Sequence, residues 1–422
     1  SEVQLKLTLA ESEVLKIKKN LPVNRVQNVL KLGELLHSRS EKLAQLMTLE
    51  MGKRYSESLA EIKKCADSCE ALIREFENAT ASFESTAIQI QPSGVILGIM
   101  PWNFPFWQVI RFAVPAILVG NSVLLKHAPN VQLCAKELVQ LFRDAGFAKG
   151  AFQNLAIEVQ FVAKIIEDNR ITGVSLTGST RAGQQVAELA GRHLKKCVLE
   201  LGGNDPSLVL HDADIEAAVN SVFTSRNLNN GQSCISAKRA IVHKSRLDDF
   251  IDLYDQKLSD CVIGDPMQPT TTVAPLVRKD IRDQTLSQLE NLIQVGGALV
   301  TAGLNIPKKG YFVDPGYILK FDSKLFDEEI FAPFLVIYCF QNNEEAIQMA
   351  NQSKYGLGAS VYSNDIENAK RIANQLDSGS VFINDFVKSI PDLPFGGVKQ
   401  SGYGRELSTF SFFEFANIKT LK

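Results

Sequence analysis

The chain has no apolar run long enough to cross a bilayer. Its most apolar stretch, Phe112 to Leu125, is broken by Pro115, Gly120 and Asn121, whereas a spanning helix needs about 20 consecutive apolar residues. It also lacks a strong excess of either charge. Forty-five basic residues face 47 acidic ones, a formal net charge of −2, so nothing electrostatic favours nucleic acid or an anionic membrane as a partner. The opening segment, Ser1 to Asn20, is too charged for a secretory signal. Seven cysteines are scattered at 65, 69, 134, 197, 234, 261 and 339. An odd, dispersed set argues against a disulfide framework and for a reducing compartment, and a cytoplasmic protein is expected. Cys65 and Cys69 stand four apart on a helical pattern with no His or Cys cluster nearby, which favours a packed helix face over a metal site. No metal is expected. The G-x-G-x-x-G dinucleotide fingerprint is missing, and no internal repeat or low-complexity linker interrupts the chain.

The sequence does contain enough apolar material for more than one core. It has 422 residues, 45% hydrophobic and 22% charged, the proportions of a folded protein of two or three domains. Helical spacing runs through 24–50, as two helices around His37 to Ser40, and through 56–78. Thr80 to Gln91 alternates weakly and reads as a strand or hairpin arm. Buried strands are then expected at Val95–Ile99, Ser122–Lys126, Phe152–Ile157, Ile171–Leu176 and Lys196–Leu201, each separated by a helical pattern. That alternation reads as a parallel sheet covered on both faces, with a ligand crevice at the carboxyl ends of its strands. A second alternating block follows. It comprises Ser207–Leu210, a helix Ile215–Asn227, Ala240–His243, helices after Leu247 and around 280–294, Tyr311–Val313, Phe334–Phe340, a helix 344–352 and Ser380–Asn384. The fold class is α/β. The aromatic tail, Phe410 to Phe415, reads as an exposed subunit contact.

Between the helix Ile215–Asn227 and the next strand stands Asn229-Asn-Gly-Gln-Ser-Cys234. Asn-Gly is a turn signal because both residues tolerate positive φ. A cysteine just past such a turn can face a cleft, although an isolated cysteine is more often a small buried apolar residue. Asn103, between Trp102 and Phe104, reads by itself as a turn residue, and Glu200 before Gly-Gly as a turn cap.

Six stretches occur in a telling order: Met100-Pro-Trp-Asn-Phe-Pro-Phe-Trp107, Leu176-Thr-Gly-Ser-Thr180, Glu200-Leu-Gly-Gly203, Asn230-Gly-Gln-Ser-Cys234, Glu328-Glu-Ile-Phe-Ala-Pro333 and Pro394-Phe-Gly-Gly-Val-Lys-Gln-Ser-Gly402. Together, from about residue 24 to the end, they resemble the NAD(P)-dependent aldehyde dehydrogenase superfamily. Leu125-Lys-His-Ala-Pro-Asn130 with Lys195 to Gly203 looks like its bacterial succinate-semialdehyde branch. The resemblance implies a Rossmann-like cofactor domain (1–78 and 95–202), an α/β catalytic domain (203–400) and a small β oligomerisation element (79–94 and 401–422), in a homodimer or homotetramer. It implies that Cys234 is the nucleophile, that Asn103 donates to the oxyanion and that Glu200 is the general base. Burial of Glu200 should raise its pKa. For NAD or NADP it implies contacts from Pro101, Trp102, Lys126, Gly178, Ser179, Leu201, Glu329 and Phe331, with phosphate at the Thr177-Gly-Ser-Thr180 helix start. Pro129 stands where NAD-preferring relatives often carry a glutamate; His127 could add weak positive charge but reads better as a neutral residue at a strand end. Trp107, Phe395 and above all Arg111 are implied for the substrate, Arg111 as a clamp for a distal carboxylate. The other reading of Arg111 is an ordinary salt bridge. Arg226 is a weaker clamp candidate and reads better as a helix-surface charge. The implied reaction oxidises a small aldehyde bearing a carboxylate, such as succinate semialdehyde. An aldehyde dehydrogenase of another substrate class, a coenzyme A-acylating semialdehyde dehydrogenase and a non-catalytic binding or scaffold protein of the same fold are the competing readings.

Overall fold

The computed structural model describes residues 2–19, 24–81, 87–320 and 325–422. Two α/β layers dominate. The first is a six-stranded sheet in the order Gly402–Tyr403, Lys196–Glu200, Ile171–Thr177, Val95–Met100, Ser122–His127 and Phe152–Asn154. All neighbours in it are parallel except Gly402–Tyr403, which pairs antiparallel with Lys196–Glu200. Strands buried on both faces are written as continuous apolar runs, and Val95–Met100 is one of them.

The helix Trp107–Val119 is buried along its whole length and carries Pro115 inside it. It ends at Gly120, whose φ of 110° is left-handed, as helix C-termini commonly do. The helix lies so close to the central strand that a Cβ on Gly98 would come within 2.2 Å of the Phe112 ring. The opening helix, Glu2–Lys19, covers another part of this sheet, with Leu7, Ala10 and Val14 joining a core that includes Val95, Leu97 and Leu124.

The second layer is a seven-stranded sheet, ordered Ser380–Ile383, Gly358–Tyr362, Pro206–Val209, Arg239–His243, Phe334–Phe340, Gly316–Lys320 and Ala298–Thr301. It is parallel except for its last pair. Fully buried Arg239 ties this sheet to a helix: its guanidinium donates to the carbonyls of Asn204, Met349 and Ala350. The latter two are orphan acceptors at the end of the helix Asn343–Asn351. A separate two-stranded ribbon pairs Ile88–Pro92 antiparallel with Ala416–Thr420. Among the described residues no helix is long and apolar enough to cross a membrane.

The structure departs from the sequence reading in four places. Tyr311–Val313 is not a strand; the strands nearby are Ala298–Thr301 and Gly316–Lys320. Gly358–Tyr362 and the helix Ile366–Ala373 were not anticipated, because Gly-Ala-Ser is a weak strand opening and an eight-residue helix shows little more than two turns of periodicity. The expected strand Phe152–Ile157 stops at Asn154. Phe412 and Phe415 point inward, at 2% and 6% exposure, and only Phe410 of the tail's aromatics is largely exposed. Residues 82–86 of the weakly alternating stretch lie outside the described residues. Gly98→Ala should overpack the strand–helix contact and cost about 1–3 kcal/mol, read as a lower urea midpoint. An unchanged midpoint would show that the contact is looser than described.

Candidate active site

The carboxyl ends of the six-stranded sheet deliver three short segments to one crevice. Pro101-Trp102-Asn103 follows the strand Val95–Met100, and Gly178-Ser179 follows Ile171–Thr177. Leu201-Gly202 follows Lys196–Glu200, whereas Lys126-His127, at the end of Ser122–His127, does not reach it. The crevice is a cavity of about 530 Å³. Pro101, Trp102, Gly178, Ser179 and Leu201 line it, and Glu329 and Phe331 close it from the second layer. The Trp102 and Phe331 rings meet edge-on at 5.8 Å. Ser179 caps the helix Thr180–Arg192 by accepting from the Ala182 N–H, which leaves a helix N-terminus facing the cavity. Gly202 has no side chain for a physical reason: a Cβ there would lie 2.4 Å from Glu329 Oε2. Glu329 Oε1 accepts from the Gly203 N–H at 3.1 Å.

Of the residues implied for the cofactor, Lys126 does not line this cavity; it is buried beside it. His127 adds no charge. It is fully buried, with Nδ1 within hydrogen-bond distance of both the Ala128 N–H and the Met100 carbonyl, and Nε2 2.9 Å from the Pro105 carbonyl. Burial pushes its pKa down to about 4.

Cys234 reaches the crevice from the other layer through a left-handed turn. Asn229, Asn230 and Gly231 take φ values of 53°, 52° and 70° in succession. At Gly231 a Cβ would sit 2.4 Å from the Ala332 carbonyl oxygen, so the turn needs glycine there. The side chains of the turn bind backbone on every side. Asn229 donates to the Asn103 carbonyl at 2.9 Å, Asn230 to the carbonyls of Ala274 and Pro275, and Gln232 accepts from the Val277 N–H. Arg226 is neither a clamp nor a surface charge. It is completely buried and donates to the carbonyls of Gly231 and Ala237 across the loop. Lys238 lies beneath the same loop and donates to the carbonyls of Ser233 and Cys234, with Glu329 at 3.4 Å.

On the far side of Cys234 is a second cavity, of about 210 Å³. Trp107, Arg111 and Phe395 line it, and Cys234 and Gln108 line both cavities. Asn103 lines the larger one with the cysteine. Its amide donates to the Gln232 carbonyl at 3.0 Å and accepts from Gln108 at 3.1 Å; among the described residues its second N–H finds no acceptor. Burial pushes the Cys234 thiol up to about 12, against the opposing pull of Arg111 and Lys238.

Glu200 is not brought into either cavity. Its carboxyl is 1% exposed, without a hydrogen-bond partner among the described residues. Burial first, and then Glu406, hold its pKa well above the usual carboxylate range, while Arg111 opposes them. Arg111 is itself spoken for: it forms a buried ion pair with Glu406, lies 4.7 Å over the Phe395 ring and reaches the Thr177 hydroxyl at 3.4 Å. Ser175 also donates to Glu406. Sequence reasoning passed over Glu406, Lys238 and Gln108. Lys238 carried a faint signal, a lysine four residues after the cysteine at the start of an apolar strand.

Comparison with known proteins places this geometry. The model of the aldehyde dehydrogenase family matches residues 1–421. The succinate-semialdehyde dehydrogenase [NADP(+)] 1 of Mycobacterium tuberculosis is 42% identical over 400 residues, covering 92% of this chain and 88% of that protein. The corresponding NADP(+) enzyme of Deinococcus radiodurans is 42% identical over 402 residues, covering 92% and 83%. Among solved structures, succinic semialdehyde dehydrogenase from Streptococcus pyogenes in complex with NADP+ superposes with a TM-score of 0.95 at 37% identity, covering 99% of this chain and 93% of that one. The NAD-dependent aldehyde dehydrogenase from Sinorhizobium meliloti follows at 0.93 and 29%, covering 99% and 86%. This chain belongs to the aldehyde dehydrogenase family.

Proposed function

We propose that this protein oxidises succinate semialdehyde, or a closely related C4–C5 semialdehyde, to the dicarboxylic acid, with NADP or NAD as the acceptor. The observation that carries this reading is Cys234 in the wall shared by a dinucleotide-sized cavity and a smaller, partly charged one. The larger cavity suits the cofactor: a helix N-terminus for phosphate, Glu329 for a ribose, and Trp102, Leu201 and Phe331 for the nicotinamide end. Two close relatives carry NADP(+) in their names, and Pro129 offers no carboxylate to repel a 2′-phosphate. NADP is therefore the favoured acceptor.

The bound nicotinamide supplies the hydride acceptor; the rest of the chemistry belongs to the protein. The Cys234 thiol must lose its proton before it adds to the aldehyde carbon to form a thiohemiacetal. Asn103, through its spare amide N–H, and the Cys234 backbone N–H stabilise the oxyanion. Oxidation leaves a thioester on Cys234. Glu200 then takes a proton from the attacking water, for which its carboxyl must turn from its present site into the cavity. The ribbon of Ile88–Pro92 and Ala416–Thr420, with Ile418 53% exposed, is proposed as a subunit contact in a homodimer or homotetramer.

Because burial keeps the thiol protonated, alkylation of Cys234 by iodoacetamide in the free enzyme should accelerate about tenfold per pH unit from 7 to 10. A plateau near neutrality would show a preformed thiolate. Glu200→Gln should keep a single burst of cofactor reduction while steady turnover falls about 100-fold or more; loss of the burst as well would move Glu200 out of the deacylation step. Steady turnover should release free acid even with coenzyme A present. Formation of an acyl-CoA in its place would overturn the hydrolytic reading.

A further inference from the structure

The smaller cavity has six ionisable groups in its wall besides Cys234: Lys53, Glu57, Glu61, Lys64, Arg111 and Lys388. Five of them already have a counter-charge. Lys53 and Glu61 are a buried pair, and Glu57 binds Arg54 at 2.6 Å. Arg111 binds Glu406, and Lys388 binds Asp385 at 2.6 Å. Glu61 is doubly engaged, because its other oxygen accepts the N–H groups of Phe106 and Trp107. Lys64 is the exception. Among the described residues no carboxylate lies within ion-pair distance of its ammonium, which sits 4.1 Å over the Trp107 ring and donates to Ser389 Oγ at 2.9 Å.

Ser389 strengthens the case. Its oxygen already accepts two hydrogen bonds, from Lys64 and from Trp107 Nε1 at 2.8 Å. A hydroxyl has two lone pairs and one hydrogen, so the Ser389 hydrogen is directed to a further acceptor, and among the described residues it has none. Ammonium hydrogens that meet no carboxylate and one spare hydroxyl hydrogen therefore share the wall of a mostly apolar cavity that Cys234 also lines. Lys64 is half-buried, so its ammonium is partly desolvated without a counter-charge, and an anionic ligand group offsets that cost.

We infer that Lys64 is the charge partner of the substrate's distal carboxylate and, with the Ser389 hydroxyl, sets the preference for an ω-carboxylated aldehyde. This rests on the semialdehyde reading above and shifts the charge recognition from Arg111, whose charge Glu406 already balances. Arg111 then shapes the wall and holds Glu406, and its loss affects all aldehydes alike.

Wild-type enzyme supplies one test. Burial brings the Lys64 pKa down to about 8. The groups that face it are Glu61 and Cys65 on its own helix, Arg111 and Trp107 on the helix packed against it, and Ser389 on the loop before Phe395. Burial holds the Cys65 thiol well above its usual range, and Arg111 stays charged, so Lys64 is the member of this group that titrates near pH 8. The carboxylate is bound well below that pH and poorly above it. The ratio of kcat/KM for succinate semialdehyde to that for butanal, the same four carbons without the carboxylate, should therefore fall as pH rises from 7 to 9.5; a flat ratio overturns the inference.

In Lys64→Met the same ratio at pH 7 should fall at least about 30-fold, mainly through KM for the semialdehyde, and Lys64→Arg should recover most of it. Equal losses on both aldehydes, or no change in the ratio, overturn the role of Lys64. The parent reading fails separately, if wild-type enzyme at pH 7 shows no preference for the semialdehyde over butanal.

Discussion

Asn229, Asn230 and Gly231 occupy the left-handed region one after another, and the position of the sulfur depends on that turn. Each of the two asparagines gives up about 1–2 kcal/mol to be there. The cost is offset by several bonds: Asn229 to the backbone of Asn103, Asn230 and Gln232 to the backbone of the loop at Pro275 and Val277, and the Arg226 guanidinium across the turn. The result is a cysteine loop tied to both layers. Asn103 comes from the six-stranded sheet and Cys234 from the seven-stranded one, and the Asn229–Asn103 and Asn103–Gln232 bonds lock their relative position. Through this lock the two sheets form one site.

The second determinant is an imbalance of buried charge. Two carboxyls, Glu200 and Glu406, share a single buried cation, Arg111. Glu406 has the contact with it and a hydroxyl besides. Glu200 has neither. Burial and the neighbouring carboxyl both penalise its ionised form, so its proton is held at the pH where ordinary carboxylates have lost theirs. A carboxyl that keeps its proton accepts no other, so in the proposed reaction its work as a base waits on loss of that proton when the side chain leaves this site. Lys238 and Arg111 both moderate the effect of burial on the thiol.

The parts legible in the sequence were those written in local code. The alternating pattern located most strands and helices of both layers, and helix Ile215–Asn227 falls within the expected bounds. The cleft-facing cysteine was signalled by Asn-Gly, and the crevice residues were signalled by short motifs at strand ends. What stayed hidden depends on contacts far apart in sequence. Nothing near Arg111 announces that Glu406, nearly 300 residues on, neutralises it. Arg226 has the amphipathic setting of a surface charge, yet the loop folds over it. The strand Gly358–Tyr362 lies between two other strands of its sheet, where pairing on both sides outweighs its weak propensity.

In the proposed reaction one sulfur carries the substrate's carbonyl carbon between the two cavities. The most direct test of this is peptide mass spectrometry of the enzyme quenched during turnover of succinate semialdehyde with NADP, using the Glu200→Gln variant to slow release. The account predicts a succinyl group in thioester linkage on the peptide that contains Cys234, absent when cofactor is omitted. Bursting enzyme with no acyl group on that peptide, or with the group on another residue, would contradict it.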